Sequence, residues 1–152
     1  MLHQSLGSAS YFVTFIDDAT QKVWMYSTRT KDRVFGNFKD WLAMVENRTN
    51  CKLKCVRSNN RGEYKSDEFV NFCRQHGFRR EFTAPHTPEQ NGIAEWMKRT
   101  IQEQIVDMLK HSRLRDGFWT EVLLMAVHII NILPSRCLGY ELPQEPWSGK
   151  TP

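Results

Sequence analysis

The chain has no apolar run long enough to cross a bilayer. Its most apolar stretch, Phe118 to Leu133, is interrupted by Thr120, Glu121, His128 and Asn131, and falls short of the ~20 apolar residues that a spanning helix needs. No membrane partner is expected. Cysteine is scarce as well. The four residues, Cys51, Cys55, Cys73 and Cys137, include no C-x-x-C and no His/Cys pair at zinc-finger spacing. That excludes a disulfide framework and a structural zinc site. Cys51 and Cys55 are expected on one face of a strand and Cys73 on the core face of a helix, all as buried reduced thiols. The start, Met1-Leu2-His3-Gln4-Ser5-Leu6, lacks the charged and apolar regions of a secretory signal. A nuclear or cytoplasmic protein is expected, not a secreted one. There is no internal repeat and no low-complexity segment. Charge of one sign is not in large excess: 21 Lys and Arg stand against 17 acids, giving +4 and a pI near 9.0. A polyanionic partner is favoured only mildly by this balance, and no small-molecule substrate is expected.

What is present is a core. Hydrophobic residues make up 40% of the 152, and aromatics 12%, enough for one globular domain. Ser10 to Ile16 and Lys22 to Thr28 read as two strands of a hairpin around Asp17-Asp18-Ala19-Thr20. A helix follows from about Lys31 to Glu46, with Val34, Phe35, Phe38, Trp41, Leu42 and Val45 at helical spacing. Lys52 to Val56 reads as a third strand, and Arg57 to Tyr64 as a polar loop at its C-terminal end. Ser66 caps a short helix, Asp67 to His76, which Gly77 ends. Phe78 to Thr83 reads as a fourth strand, with Phe78 and Phe82 buried. A long helix runs to about His111, and a last one from about Asp116 to Leu133. The order β-β-α-β-α-β-α-α means an α/β fold on a mixed sheet. Residues 1–135 form the core and 136–152 an irregular tail.

The most informative stretch is Thr83 to Ile101. Pro85, Pro88 and Asn91-Gly92 mark a loop. Ile93, Met97, Ile101, Ile105 and Leu109 then set a helical stripe, widened by Met108. Glu95 sits one turn into that helix, with Lys98, Arg99 and Gln102 on neighbouring positions. A carboxylate flanked by cations could hold a divalent metal beside a phosphate backbone. It could equally be a surface Glu paired with Arg99 four residues on, worth a few tenths of a kcal/mol.

Several segments resemble the integrase catalytic core of Copia-type LTR retrotransposons. They are Tyr11-Phe12-Val13-Thr14-Phe15-Ile16-Asp17-Asp18, Arg57-Ser58-Asn59-Asn60-Arg61-Gly62-Glu63-Tyr64, Phe69-Val70-Asn71-Phe72-Cys73 and Thr87-Pro88-Glu89-Gln90-Asn91-Gly92-Ile93-Ala94-Glu95. Phe118-Trp119, Asn131-Ile132-Leu133-Pro134-Ser135 and Pro146-Trp147-Ser148-Gly149-Lys150-Thr151-Pro152 continue the match in order. The resemblance implies an RNase H-like fold with flanking helices and a DDE polynucleotidyl transferase. Such enzymes process DNA 3′ ends and join them to target DNA, using three carboxylates that hold two Mg²⁺ or Mn²⁺ ions. It implies DNA as partner, dimerisation through the first and last long helices, and Glu95 as the third acid and metal ligand. Arg57, Arg61, Lys98, Arg99 and Gln102 are the expected DNA contacts, and Lys110, Arg113 and Arg115 add phosphate-binding charge.

The sequence also departs from that pattern. The second acid belongs in a Ser-Asp-Asn-Gly-Gly-Glu-Tyr motif, where this chain has Asn59 and, at the first glycine, Arg61. The first acid belongs on a strand before Ser10–Ile16, which the nine residues Met1 to Ala9 are too short to supply. That strand is central in an RNase H-like sheet, so its lack bares two edges. A catalytically defective core is therefore expected, or a non-catalytic DNA-binding or protein-interaction remnant. A substitute triad of Asp17, Glu63 and Glu95 is the alternative, although Asp17 also suits a turn. Trp96 stands where the family usually has Arg; packing on the loop and base stacking are its two readings.

Overall fold

The computed structural model describes residues 4–59, 64–83, 88–134, 139 and 142–143. Four strands and four α-helices follow the expected order. The strands are β1 (Tyr11–Ile16), β2 (Val23–Thr28), β3 (Cys55–Asn59) and β4 (Arg79–Thr83). The helices are α1 (Val34–Thr49), α2 (Asp67–His76), α3 (Pro88–Ser112) and α4 (Trp119–Ile132). They form two compact units, Met1–Arg29 with Trp96–Pro152, and Thr30–Glu95. The boundary falls within α3.

In the first unit β1 and β2 pair antiparallel, from Tyr11 opposite Thr28 to Ile16 opposite Val23. Asp17 makes the turn: its Oδ2 accepts from the Thr20 amide at 2.9 Å and the Thr20 hydroxyl at 2.7 Å. Side chains alternate across a strand, so Phe12 and Ile16 share one face. Both pack on a core drawn from α3 (Met97, Ile101, Ile105, Leu109) and α4 (Trp119, Val122, Leu123, Val127). The expected α3 stripe is therefore buried, except Ile93, whose side chain lies outside the described residues. Phe12 meets Trp119 with ring centroids 6.2 Å apart. The outer edge of β2 is closed by a side chain. Asn131 of α4 accepts from the Val23 amide and donates to the Val23 carbonyl, both at 2.9 Å. One buried amide thereby satisfies two backbone groups that a strand would otherwise have to pair.

In the second unit β3 and β4 pair parallel, from Cys55 beside Arg79 to Asn59 beside Thr83. Among the described residues no pairing joins these two sheets. An aromatic cluster holds the unit: Phe38 of α1 contacts Trp41, Phe69, Phe72 and Phe78, with centroids 5.3–6.2 Å apart. Such pairs contribute roughly 0.5–1.5 kcal/mol each beyond area burial. Both helix ends of α2 follow the expected chemistry. Ser66 Oγ accepts from the Phe69 amide, and Gly77 ends the helix in the left-handed region at φ 76°. Glu46, near the end of α1, accepts from the Leu53 amide at 3.0 Å and from Lys52 Nζ at 3.1 Å. The Leu53 N–H, and then Lys52, hold its carboxyl below the usual range.

Several expectations are corrected. The third strand lies three residues later than the apolar pattern indicates, because parallel pairing with β4 selects Cys55–Asn59. Arg57 and Asn59 are therefore strand residues, not loop residues. Cys51 falls outside the strand and is exposed, and Cys55 is half-buried; only Cys73 of these three is buried. Phe82 is 38% exposed, with the Arg80 guanidinium 5.3 Å from its ring centre. α1 extends to Thr49, where Asn50 ends it in the left-handed region at φ 55°. α3 starts at Pro88 instead of after Gly92. Proline suits a first helical turn, where its missing N–H is not needed, so Asn91-Gly92 is helical and Glu95 lies about two turns in. No described helix is long and apolar enough to cross a membrane.

Candidate nucleic-acid interface

Register brings the two relevant segments to one end of the parallel pair. Asn59 and Thr83 are side by side at the C-terminal ends of β3 and β4. In sequence, residues 60–63 follow Asn59, and 84–87 stand between Thr83 and α3. In an open α/β sheet the carboxyl ends of the strands are where sites form. The Asn59 side chain, Arg61, Glu63 and residues 84–87 lie outside the described residues.

Along α3 one exposed stripe carries most of the expected contacts. Glu95, Arg99, Gln102, Val106 and Lys110 recur at spacings of four and three, which places them on one side of a helix. All five are exposed, as is Lys98 at the stripe's edge. A different side is the buried stripe Met97, Ile101, Ile105 and Leu109. Arg113 and Arg115 follow in the connection to α4 and are exposed too. Glu95 and Arg99 are not joined by an ion pair, unlike Lys52–Glu46 and Arg57–Glu81. The α3 cations are thus not committed to a neighbouring acid. Arg57 is different. Its Nε and Nη2 reach Glu81 Oε2 at 3.4 and 3.3 Å, so a phosphate would have to compete with that carboxylate. The pair is exposed, so the competition is a weak one.

The donor set does not fit a pair of divalent ions. Mg²⁺ takes hard, charged oxygen ligands. The end of β3 carries an amide residue, Asn59, and the carboxylate on the exposed stripe of α3 is Glu95, with Glu103 and Asp107 on another side of the helix. Among the described residues no three of His, Cys, Asp and Glu stand where they could hold a metal. Asp17 is occupied in its turn, and Glu63 of the alternative triad lies outside the described residues.

Sequence reasoning gave Asn131 as an interruption of an apolar helix and as part of a matching segment, without a structural role, and its pairing with Val23 explains it. For Trp96 the two readings are packing on the loop and base stacking. It is 60% exposed, so it does not pack into a core.

Comparison with known proteins agrees with the fold and the segments above. The profile of the family described as "Integrase core domain" matches residues 3–88, more than half of the chain. A retrovirus-related Pol polyprotein from transposon TNT 1-94 of Nicotiana tabacum is 48% identical over 97% of the chain. Those from transposons RE2 and RE1 of Arabidopsis thaliana are 31% and 32% identical over 97% and 93% of it. The chain spans about a tenth of the length of these relatives: 11%, 10% and 10%. Among solved structures, the simian T-cell lymphotropic virus intasome in complex with PP2A regulatory subunit B56 gamma matches with a TM-score of 0.73 at 13% identity. That match covers 95% of this chain and 50% of the other. The HTLV-2 integrase catalytic core domain in complex with magnesium, in a trimeric form, matches with a TM-score of 0.66 at 13% identity, covering 88% of this chain and 82% of the other. The fold is the RNase H-like α/β fold of retroviral integrase cores.

Proposed function

This chain belongs to the integrase core domain family, and from that premise we propose that it binds DNA along α3 and does not carry out strand transfer. The observation that carries the first half is the exposed stripe of Arg99, Gln102 and Lys110 with Lys98 beside it, facing away from the core and unpaired with acids among the described residues. Each phosphate that such cations neutralise releases counterions, so affinity falls steeply with salt. The second half rests on Asn59. An amide oxygen can coordinate a metal but brings no charge. Losing one carboxylate contact costs on the order of 4 kcal/mol at 4 Å and an effective dielectric near 20, for each unit of cation charge. The neighbouring Arg61 adds charge of the wrong sign. Magnesium, named for one structural neighbour, is therefore not proposed as a working cofactor here, and Glu95 acts as no more than a lone exposed carboxylate.

Two measurements test this. Duplex DNA binding by anisotropy should weaken by orders of magnitude between low and physiological salt, with little sequence preference; salt-independent binding would contradict it. A strand-transfer assay with oligonucleotide ends and Mg²⁺ or Mn²⁺ should give no product. Product that vanishes on Glu95→Gln would restore a catalytic reading. A DNA partner suits a nuclear or cytoplasmic location.

A second reading concerns self-association. Leu124 and Met125 of α4 are 61% and 55% exposed, and one structural neighbour is described as trimeric. α4 is proposed to cover these residues in an oligomer. Leu124→Glu should then shift the mass measured by light scattering toward monomer; an unchanged mass would remove this reading.

A further inference from the structure

Tryptophan placement in this chain is uneven. Trp119 and Trp41 are buried and Trp24 is half-buried. Trp96 is 60% exposed on α3, opposite the buried stripe. The Cα–Cβ bond of a helical residue tilts toward the helix N-terminus. Gly92 lies one turn toward that N-terminus. Gly92 is exposed, and a Cβ built there would meet nothing within 4 Å. Packing among the described residues does not require the glycine. Arg99 lies one turn further along, exposed. An exposed indole with an exposed guanidinium one turn away on the same helix matches one ligand chemistry, a flat ring joined to a phosphate.

We infer that Trp96 is a stacking platform for an unpaired base of a DNA strand, with Arg99 holding the adjacent phosphate. This rests on the proposal that α3 binds DNA. The neighbouring charges set the direction of the strand. Glu103 and Asp107 continue the Trp96 side of the helix, and both are exposed. The phosphates must therefore turn away from them, toward Arg99, Gln102 and Lys110. A paired base hides its face in the duplex stack, so the indole discriminates between single-stranded and duplex DNA, which the cations alone do not.

The test uses three labelled probes at one moderate salt concentration: a blunt duplex, the same duplex with a short single-stranded overhang, and that overhang made abasic. The expected result is that the wild-type chain binds the base-bearing overhang about tenfold more tightly than the abasic one. Trp96→Ala should bring those two probes level, leave the blunt duplex within about twofold and leave the salt slope unchanged, because a neutral ring neutralises no phosphate. Trp96→Phe should keep most of the preference. Because the side chain is exposed, both variants should melt close to wild type. Equal loss on all three probes, or a wild type that ignores the base, overturns the inference. If wild type binds the blunt duplex with steep salt dependence yet ignores the overhang base, only the Trp96 inference falls. If it binds no probe at low salt, the DNA-binding proposal falls with it.

Discussion

The amide of Asn131 fastens α4 to β2, and replacing it with alanine is the sharpest test of how the first unit is held. In Asn131→Ala the Val23 N–H and C=O each lose a partner at 2.9 Å. Val23 is 1% exposed and Asn131 is 8% exposed, so water does not replace the lost bonds without local opening. A buried backbone group left unpaired costs about 1–3 kcal/mol, so two such groups put the loss at roughly 2–6 kcal/mol. Part of this is relieved if a water enters the space vacated by the side chain, which sets the lower end at about 2 kcal/mol. For a chain of this length each kcal/mol moves the melting midpoint by about 2–4 °C, so a drop of at least about 4 °C is expected. Calorimetry and urea titration on wild type and Asn131→Ala, with His128→Ala as an exposed control on the same helix, would measure it. The control should change stability by less than about 0.5 kcal/mol. If Asn131→Ala costs no more than the control, the edge-closing role of this side chain is refuted.

Two further predictions concern the second unit. The depressed Glu46 carboxyl gives a folded pKa below the unfolded one. Its contribution is thus present above the unfolded pKa and lost as pH falls through the folded one. Glu46→Gln should lower the urea midpoint at neutral pH by a small amount, and wild type and variant should converge in strong acid. A gap independent of pH would contradict this. Among Cys51, Cys55 and Cys73, a thiol reagent should modify Cys51 first, since it is exposed. Cys55 should follow slowly, its thiol pushed up by burial and then by the Glu81 carboxylate. Cys73, pushed up by burial, should react only on unfolding. Mass spectrometry of partially labelled protein gives the order, and early labelling of Cys73 would refute the packing of α2.

Much of this was legible in the chain itself. The α3 stripe, the Ser66 cap, the Gly77 stop and the hairpin are local signals, carried by periodicity and by residues whose backbone preferences are strong. The displaced elements are those decided by distant partners. β3 moved because a parallel neighbour, not its own alternation, chose Cys55–Asn59. Asn91-Gly92 carries turn residues, yet Pro88 had already begun the helix and the buried Met97 stripe held it. Asn131 looked like a flaw in an apolar helix until Val23, 108 residues away in sequence, gave it a purpose. The position of Glu95 and its flanking cations followed from helical spacing, whereas the exposure of Trp96 depends on what the fold leaves uncovered, which spacing does not contain.

The hairpin carries a consequence for how the protein behaves in a tube. Asp17 N–H donates to Lys22 C=O, and hydrogen-bonding direction alternates along a strand. Phe15, Val13 and Tyr11 therefore direct their amides to β2, while Phe12, Thr14 and Ile16 direct theirs to the other side. No strand lies along that side among the described residues. Whereas Asn131 pairs Val23 on the far side of β2, β1 turns the amides of Phe12, Thr14 and Ile16 outward from a strand rich in aromatic and β-branched side chains and without a charge or a proline. Edges of that composition recruit further strands. Solubility should therefore depend on concentration more than on net charge, and a lysine at Thr14 should protect the purified protein from precipitation better than added salt does.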